Sequence, residues 1–206
     1  MRILPLCVAS ALSLSASAQV PSAAASSVVI VLNGSAEAFD ADAAIGALLV
    51  ADAVDSVTIG IAICDSSGRP IANLPVRIEV TGSRNIVTPA ATSLTDVNGL
   101  FIANLTTTTA ETKTISVVAD PGPAEVLLQE RPSVTFRAGP ATHFDIALGV
   151  AMDGSRREVT VAARDFFGNV AAEYRGAVQS SGADAIAAGL TGVVALDGQG
   201  MTHPEQ

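Results

Sequence analysis

The chain has 206 residues, of which 49% are hydrophobic but only 3% aromatic, and its formal net charge is −9. This length allows one large domain or two small ones, with cores built from Val, Ile, Leu and Ala. The acidic balance argues against a nucleic-acid partner, because nucleic-acid binders displace counterions with clustered Lys and Arg.

The first element is an export signal. Arg2 supplies a short positive region, residues 3–14 form an apolar run, and residues 16–18 (Ala-Ser-Ala) form a small-x-small cleavage site. The apolar run is shorter than the ~20 residues that a membrane-spanning helix needs. We therefore predict a signal peptide over residues 1–18, an extracellular or cell-surface location, and no membrane span after cleavage.

The next segment, residues 19–44, is predicted to be a linker or an extra N-terminal strand. Small residues at 22–27 are typical of a linker, and the apolar run at 28–32 favours a strand. Residues 39–55 are rich in Ala and Asp and have a helical composition. Their similarity to a later part of the chain favours a short strand near their middle instead.

Residues 45–138 carry the pattern of an immunoglobulin-like (Ig-like) β-sandwich. Hydrophobic residues alternate with small or polar ones over 57–63 and 76–80, which is typical of half-buried strands. An Asp-x-x-Gly turn at 65–68 separates these two strands. Further strands are predicted at 100–105, 114–118 and 133–137, and no helical period of comparable strength occurs.

Residues 139–206 repeat part of this pattern at a spacing of about 100 residues. Asp165–Gly168 matches the turn at 65–68, residues 147–151 match 47–51, and a Gly turn at 197–200 matches 96–99. Strands are predicted at 144–148, 159–163 and 174–179. Because few residues follow the last turn, we expect an incomplete second sandwich with bare strand edges.

The residues of these turns resemble a known family. The run from Ile61 to Val76 and the run Thr95–Gly99 followed by Leu105 resemble bacterial Ig-like domains of the invasin/intimin type. Residues 159–178 look closer to related Ig-like, filamin-like repeats of bacterial surface proteins. The resemblance implies an all-β chain of Ig-like sandwiches in tandem, extracellular stalks or adhesins, and no catalytic residues.

The sequence contains no recognisable catalytic set and implies no cofactor. His143 and His203 belong to no metal-ligand spacing, and Cys64 is expected to be an inert strand-end residue without an internal disulfide after signal cleavage. Calcium is the one metal considered, with Asp40 and Asp42 or Asp52 and Asp55 as hard oxygen ligands. Two carboxylates are only part of a calcium site, which needs six or more oxygens.

Two functions are compatible with the sequence. The leading hypothesis is a non-catalytic exported Ig-like module that acts as a structural spacer or adhesive part of a bacterial surface or secreted protein. Its partner would be a protein or a glycan at the cell surface, and another chain could donate strands to the second sandwich. The alternative is a carbohydrate-binding accessory domain of a secreted enzyme, with Phe166, Phe167 and Tyr174 stacking on sugar rings.

Overall fold

A computed structural model of the chain describes residues 19–33, 49–89, 92–148, 159–179 and 193–195. The predicted signal peptide therefore lies outside the described residues. The chain divides into two compact units, Met1–Arg137 and Ala138–Gln206. All the regular elements of the described ranges are β-strands.

The first unit consists of two packed β-sheets. One sheet has four strands in the order β1-β3-β7-β5, and the other has the order β2-β10-β8-β4-β6, with β9 paired to β8. The strands are β1 (Ser27–Asn33), β2 (Leu49–Val50), β3 (Ser56–Ala62), β4 (Pro75–Val80), β5 (Asn85–Thr88), β6 (Thr92–Leu94), β7 (Leu100–Thr107), β8 (Thr112–Ala119), β9 (Val126–Leu127) and β10 (Ser133–Arg137).

The core lies between the inward faces of the two sheets. Side chains on successive strand residues point to opposite faces, so the alternation in β3 sends Val57, Ile59 and Ile61 inward, where each is fully buried. Phe101 of β7 lies directly opposite Ile61 and is also buried. Burying each such side chain stabilises the fold by about 1.5–3 kcal/mol.

The strand order is that of an Ig-like sandwich. The first sheet follows the order A-B-E-D of Ig domains, and β4, β8 and β10 of the second sheet take the places of C, F and G. The short β2 adds to β10 in parallel, whereas the other strand pairs are antiparallel. The prediction of an all-β, Ig-like fold is confirmed.

Most strands predicted by alternation in the first unit are confirmed within one or two residues. The residues before 45 also contribute, because β1 pairs with β3 along its full length, from Ser27 opposite Ala62 to Asn33 opposite Ser56. Residues 34–48 lie outside the described part of the chain. Only Leu49–Val50 of the Ala- and Asp-rich stretch is therefore seen as a strand.

The second unit contains two described strand pairs, formed by β11 (His143–Leu148) with β12 (Val159–Arg164) and by β13 (Ala177–Gln179) with β14 (Val193–Ala195). Its small core contains the buried residues Val161, Ala163 and Ala171, against which the ring of Tyr174 packs.

One prediction for this unit is wrong. The strand expected from residue 174 begins at Ala177, because Tyr174 turns inward onto the core instead of continuing an extended edge. The match of 147–151 to 47–51 stays a prediction, because no pair of matched residues has both members in the described part of the chain.

Candidate functional site

The Asp-x-x-Gly turn at 65–68 is a closed loop organised by its aspartate. The Asp65 carbonyl accepts a hydrogen bond from Gly68 N–H at 3.0 Å, and the Asp65 N–H donates to the Arg69 carbonyl at 2.9 Å. The Asp65 carboxylate Oδ1 accepts the N–H groups of Ser67 and Arg69 at 2.8 and 3.0 Å. Gly68 has φ of +75°, a conformation that costs glycine little.

The same hydrogen bonds recur in two further loops. In the first unit the Asp96 carboxylate accepts the N–H groups of Asn98 and Leu100, both at 2.8 Å. In the second unit the Asp165 carboxylate accepts those of Phe167 and Asn169 at 2.9 and 2.8 Å. The motif thus specifies a loop geometry. This structural role accounts for its recurrence without a catalytic or ligand-binding role.

The two loops of the first unit adjoin at one end of the sandwich. Ile63 N–H donates to the Gly99 carbonyl at 2.8 Å. The buried Thr95 hydroxyl donates to the Ile71 carbonyl at 2.7 Å and accepts Leu74 N–H at 3.0 Å. These contacts tie the two loops into one rigid end of the sandwich.

Hydrogen bonding also fixes the charge state of these loop aspartates. The N–H of Leu100 holds the pKa of Asp96 below its ordinary value. Burial acts to raise the pKa of Asp165, but hydrogen bonds from the Asn169 side chain and the Gly139 N–H outweigh it and leave the pKa lowered. Both carboxylates are therefore ionised acceptors for backbone N–H groups, which is a structural role.

The aspartates considered for calcium are engaged in the same way. Asp52 Oδ1 accepts the N–H groups of Val54 and Asp55, and Asp55 Oδ2 accepts Val50 N–H at 2.8 Å. The other pair, Asp40 and Asp42, lies outside the described residues. Across the described ranges, no three His, Cys, Asp or Glu side chains are grouped so as to hold a metal ion.

The three aromatic residues predicted to bind sugar fall into two separate ring pairs. Phe166 is 79% exposed and packs edge-to-face on Phe167, with ring centroids 5.1 Å apart. Tyr174 packs edge-to-face on Phe144, at 5.4 Å, as part of the second-unit core. A sugar platform at this site would therefore consist of Phe166 and Phe167.

The remaining residues that were considered for chemistry are Cys64, His143 and His203. Cys64 is 2% exposed and disulfide-bonded in the full-length chain. The expectation of a lone thiol concerns the chain after signal cleavage, and it stays a prediction. His143 is exposed at the start of β11, where its Nδ1 lies 3.1 Å from the Thr142 hydroxyl. His203 lies outside the described residues.

One buried charge, that of Lys113, was not predicted from the sequence. Lys113 of β8 is fully buried, and its Nζ donates to Glu111 Oε1 at 2.5 Å and to the Ser83 carbonyl at 2.7 Å. The Lys113 hydrogen bond holds the pKa of Glu111 below its ordinary value. The only sequence signal was the inward position of Lys113 in the alternation of β8.

The outer face of the first sheet is uncharged and carries exposed apolar side chains. Its outward positions on β1, β3, β5 and β7 carry no Asp, Glu, Lys or Arg. Val31, Ile86 and Ile102 are 55%, 53% and 58% exposed on this face, and the Thr58 hydroxyl donates to Asn104 Oδ1 at 2.7 Å between them. The outer face of the other sheet instead carries charges such as Arg77, which pairs with Glu79.

Together, the two sheets, their strand order and the structural use of the acidic loops define an Ig-like β-sandwich module. Residues 45–136 match the family model of the bacterial Ig-like domain (group 1). The resemblance to bacterial Ig-like domains is thereby confirmed. The matched residues lie in the first unit, so the resemblance of the second unit to filamin-like repeats stays a prediction.

Several solved structures of bacterial proteins are similar to this chain at low sequence identity. Invasin, a bacterial integrin-binding protein, is 19% identical with a TM-score of 0.47, and the match covers 78% of this chain and 30% of invasin. The adhesin FdeC of Escherichia coli is 20% identical with a TM-score of 0.45, covering 78% of this chain and 48% of FdeC. InvD of Yersinia pseudotuberculosis is 18% identical with a TM-score of 0.47, covering 73% of this chain and 44% of InvD.

This chain thus spans less than half the length of each of these structures. No curated protein sequence matches it. Within the described ranges, no helix has the length and apolar character required to cross a membrane.

Proposed function

We propose that the chain is an exported, non-catalytic Ig-like protein that binds a protein partner at the cell surface through its first module. The uncharged outer face of the β1-β3-β7-β5 sheet supports this proposal. The exposed side chains of Val31, Ile86 and Ile102 give a protein partner apolar contacts on one uncharged face, as protein-binding sites do. In a chain of net charge −9, a face without charges also allows a partner to approach without strong repulsion.

The test of adhesion is a binding screen of the mature chain, residues 19–206, on an array of extracellular proteins. Ile102→Arg should abolish the strongest specific signal, because Ile102 is 58% exposed at the centre of the face and the variant should fold normally. Thr135→Arg, on the outer face of the other sheet, is the matched control and should bind as the unmodified chain does. Equal binding by both variants, or no specific binding by the unmodified chain, would refute the proposal.

The alternative is a carbohydrate-binding accessory domain of a secreted enzyme. The observation that favours it is the edge-to-face pair of Phe166 and Phe167, with Phe166 79% exposed. A glycan array with the mature chain tests this function, and Phe166→Ala should remove the signal. Glycan binding that survives Phe166→Ala would place the sugar elsewhere.

The proposal includes the chain organisation predicted from the sequence. We propose a signal peptide at 1–18, a linker or extra strand at 19–44, a complete Ig-like sandwich at 45–138 and a partial one at 139–206. N-terminal sequencing of the exported protein should begin at Gln19. A protein that begins at Met1 would contradict export by this signal.

A further inference from the structure

β12 of the second unit occupies the position of β3, the central strand of the first sheet. The loops that follow the two strands make the same hydrogen bonds, from Asp65 in one case and Asp165 in the other. Each strand is also paired on one side with an earlier strand of its own unit, β1 or β11. On its other side β3 is paired with β7, whereas β12 has no second partner among the described strands.

The unpaired side of β12 presents a row of backbone donors and acceptors. Alternate residues of a strand direct their N–H and C=O groups to opposite sides. The Arg164 carbonyl accepts Thr142 N–H on the β11 side, so the backbone groups of Val159, Val161 and Ala163 point to the other side. Among the described residues, the one bond recorded there is from Ala171 N–H to the Ala163 carbonyl, at 2.9 Å.

The apolar face of this hairpin is also partly exposed. Ile146 lies opposite the buried Val161, as Val28 lies opposite Ile61 in the first unit. Val28 is 5% exposed and belongs to the core of the first unit, whereas Ile146 is 60% exposed. Among the described residues, β12 thus lacks the partner strand that β7 supplies to β3, and the hairpin beside it leaves an apolar side chain exposed.

We propose that the free edge of β12 binds an extended peptide strand in antiparallel orientation, in the position that β7 holds beside β3. The chemistry of the strand follows from the first unit. Phe101, Ala103 and Leu105 of β7 point inward and are buried, and they alternate with outward Ile102 and Asn104. The partner is therefore a segment with alternating apolar residues and no inward charge, which joins the sheet through its main chain.

The test uses the full mature chain and a synthetic peptide with the sequence of residues 98–108, NGLFIANLTTT. The chain has one Tyr and no Trp, and the peptide has neither, so the fluorescence of Tyr174 reports on the second unit alone. Titration should change this fluorescence with saturation. Anisotropy of a dye-labelled peptide should give the same Kd, below about 1 mM.

Backbone-modified peptides give a matched comparison without altering the protein. In the register of β3 and β7, the N–H groups of Phe101 and Ala103 point to β3, and those of Ile102 and Asn104 point away. N-methylation at Phe101 and Ala103 should weaken binding at least about tenfold, because two hydrogen bonds are lost. N-methylation at Ile102 and Asn104 should retain binding within about threefold.

The protein offers a second pair of variants. Ile146→Asp puts a charge on the inward face of the hairpin, which the apolar side chains of the bound strand would share, and should weaken peptide binding at least about tenfold. Ala147→Asp, on the opposite face of β11, should leave it nearly unchanged. Both positions are exposed, so both variants should keep the Tyr174 signal of the unmodified chain.

Four results would overturn the proposal. The first three are no binding, equal effects of the two N-methylated peptides, and binding that leaves the Tyr174 fluorescence unchanged and so takes place outside the second unit. Concentration-dependent dimerisation without peptide binding would also overturn it, in favour of a second copy as the occupant. The experiment does not involve the first sheet, so its outcome is separate from that of the adhesion screen.

Discussion

The two glycine turns of the first unit allow a matched test of how the end of the sandwich is packed. Gly68 and Gly99 end equivalent Asp-x-x-Gly loops at φ of +75° and +71°. A Cβ at Gly68 would meet no atom within 4 Å, whereas a Cβ at Gly99 would lie 2.6 Å from the Ile63 carbonyl oxygen and 3.0 Å from Ile71 N. The two loops therefore differ in surroundings and agree in backbone conformation.

Alanine should destabilise the two loops to different extents. The left-handed conformation costs about 1–2 kcal/mol for Gly68→Ala and for Gly99→Ala alike. At Gly99 the overpacking against backbone atoms adds about 1–3 kcal/mol, for a total of roughly 2–5 kcal/mol. The added cost reflects displacement of the hydrogen bond between Ile63 and Ile71.

The assay is urea unfolding of the mature chain followed by far-UV circular dichroism. With an m-value of about 2 kcal/mol/M, an added cost of ~2 kcal/mol lowers the midpoint of Gly99→Ala by roughly 1 M more than that of Gly68→Ala. Equal midpoints for the two variants would refute the contact between the loops.

Three further predictions concern polar side chains that bond across loops and strands. Thr95→Val should lower the unfolding free energy by about 1–3 kcal/mol, because it leaves a buried N–H and a buried carbonyl unpaired, and Thr95→Ser should restore most of it in the same urea assay. The pKa of Glu111 lies below its ordinary value of 4.5 in the folded chain, because Lys113 donates a hydrogen bond to it. This pairing therefore stabilises the fold above pH 4.5, and the stabilisation is lost as the pH falls through the lowered pKa. Glu111→Gln should therefore flatten the acid side of a plot of Tm against pH, and an unchanged slope would contradict the role of the pair. Asp165→Asn should destabilise the second unit by about 1–3 kcal/mol, read from Tyr174 fluorescence in urea. Asp65→Asn should change stability by no more than about 0.5 kcal/mol, because only one of its carboxylate oxygens accepts recorded hydrogen bonds.

The long strands of the first unit could be predicted from the sequence because one of their faces is buried and the other is wet. Alternation over β3 and β4 records this difference in environment residue by residue. The Asp-x-x-Gly loops were predictable for a similar reason, since the carboxylate and the glycine each meet a local requirement of the turn. These signals are contained within a few consecutive residues.

The parts that were missed depend on contacts between distant segments. β5 and β9 are too short to show a period, and they are strands because β7 and β8 offer them an edge. Tyr174 leaves the predicted strand because it packs on Phe144, about thirty residues earlier. The burial of Lys113 likewise depends on Ser83, whose carbonyl lies on the connection between β4 and β5.

The position of Lys113 determines how the protein can be labelled and cut. It is the one lysine of the chain, and its side chain is 0% exposed. Amine-reactive dyes or surfaces should therefore couple to the folded protein through its α-amino group alone, so that all immobilised molecules are attached at the same point. A lysine-specific protease should cleave the chain only after the first sandwich has opened, and the appearance of the cut then measures that opening directly.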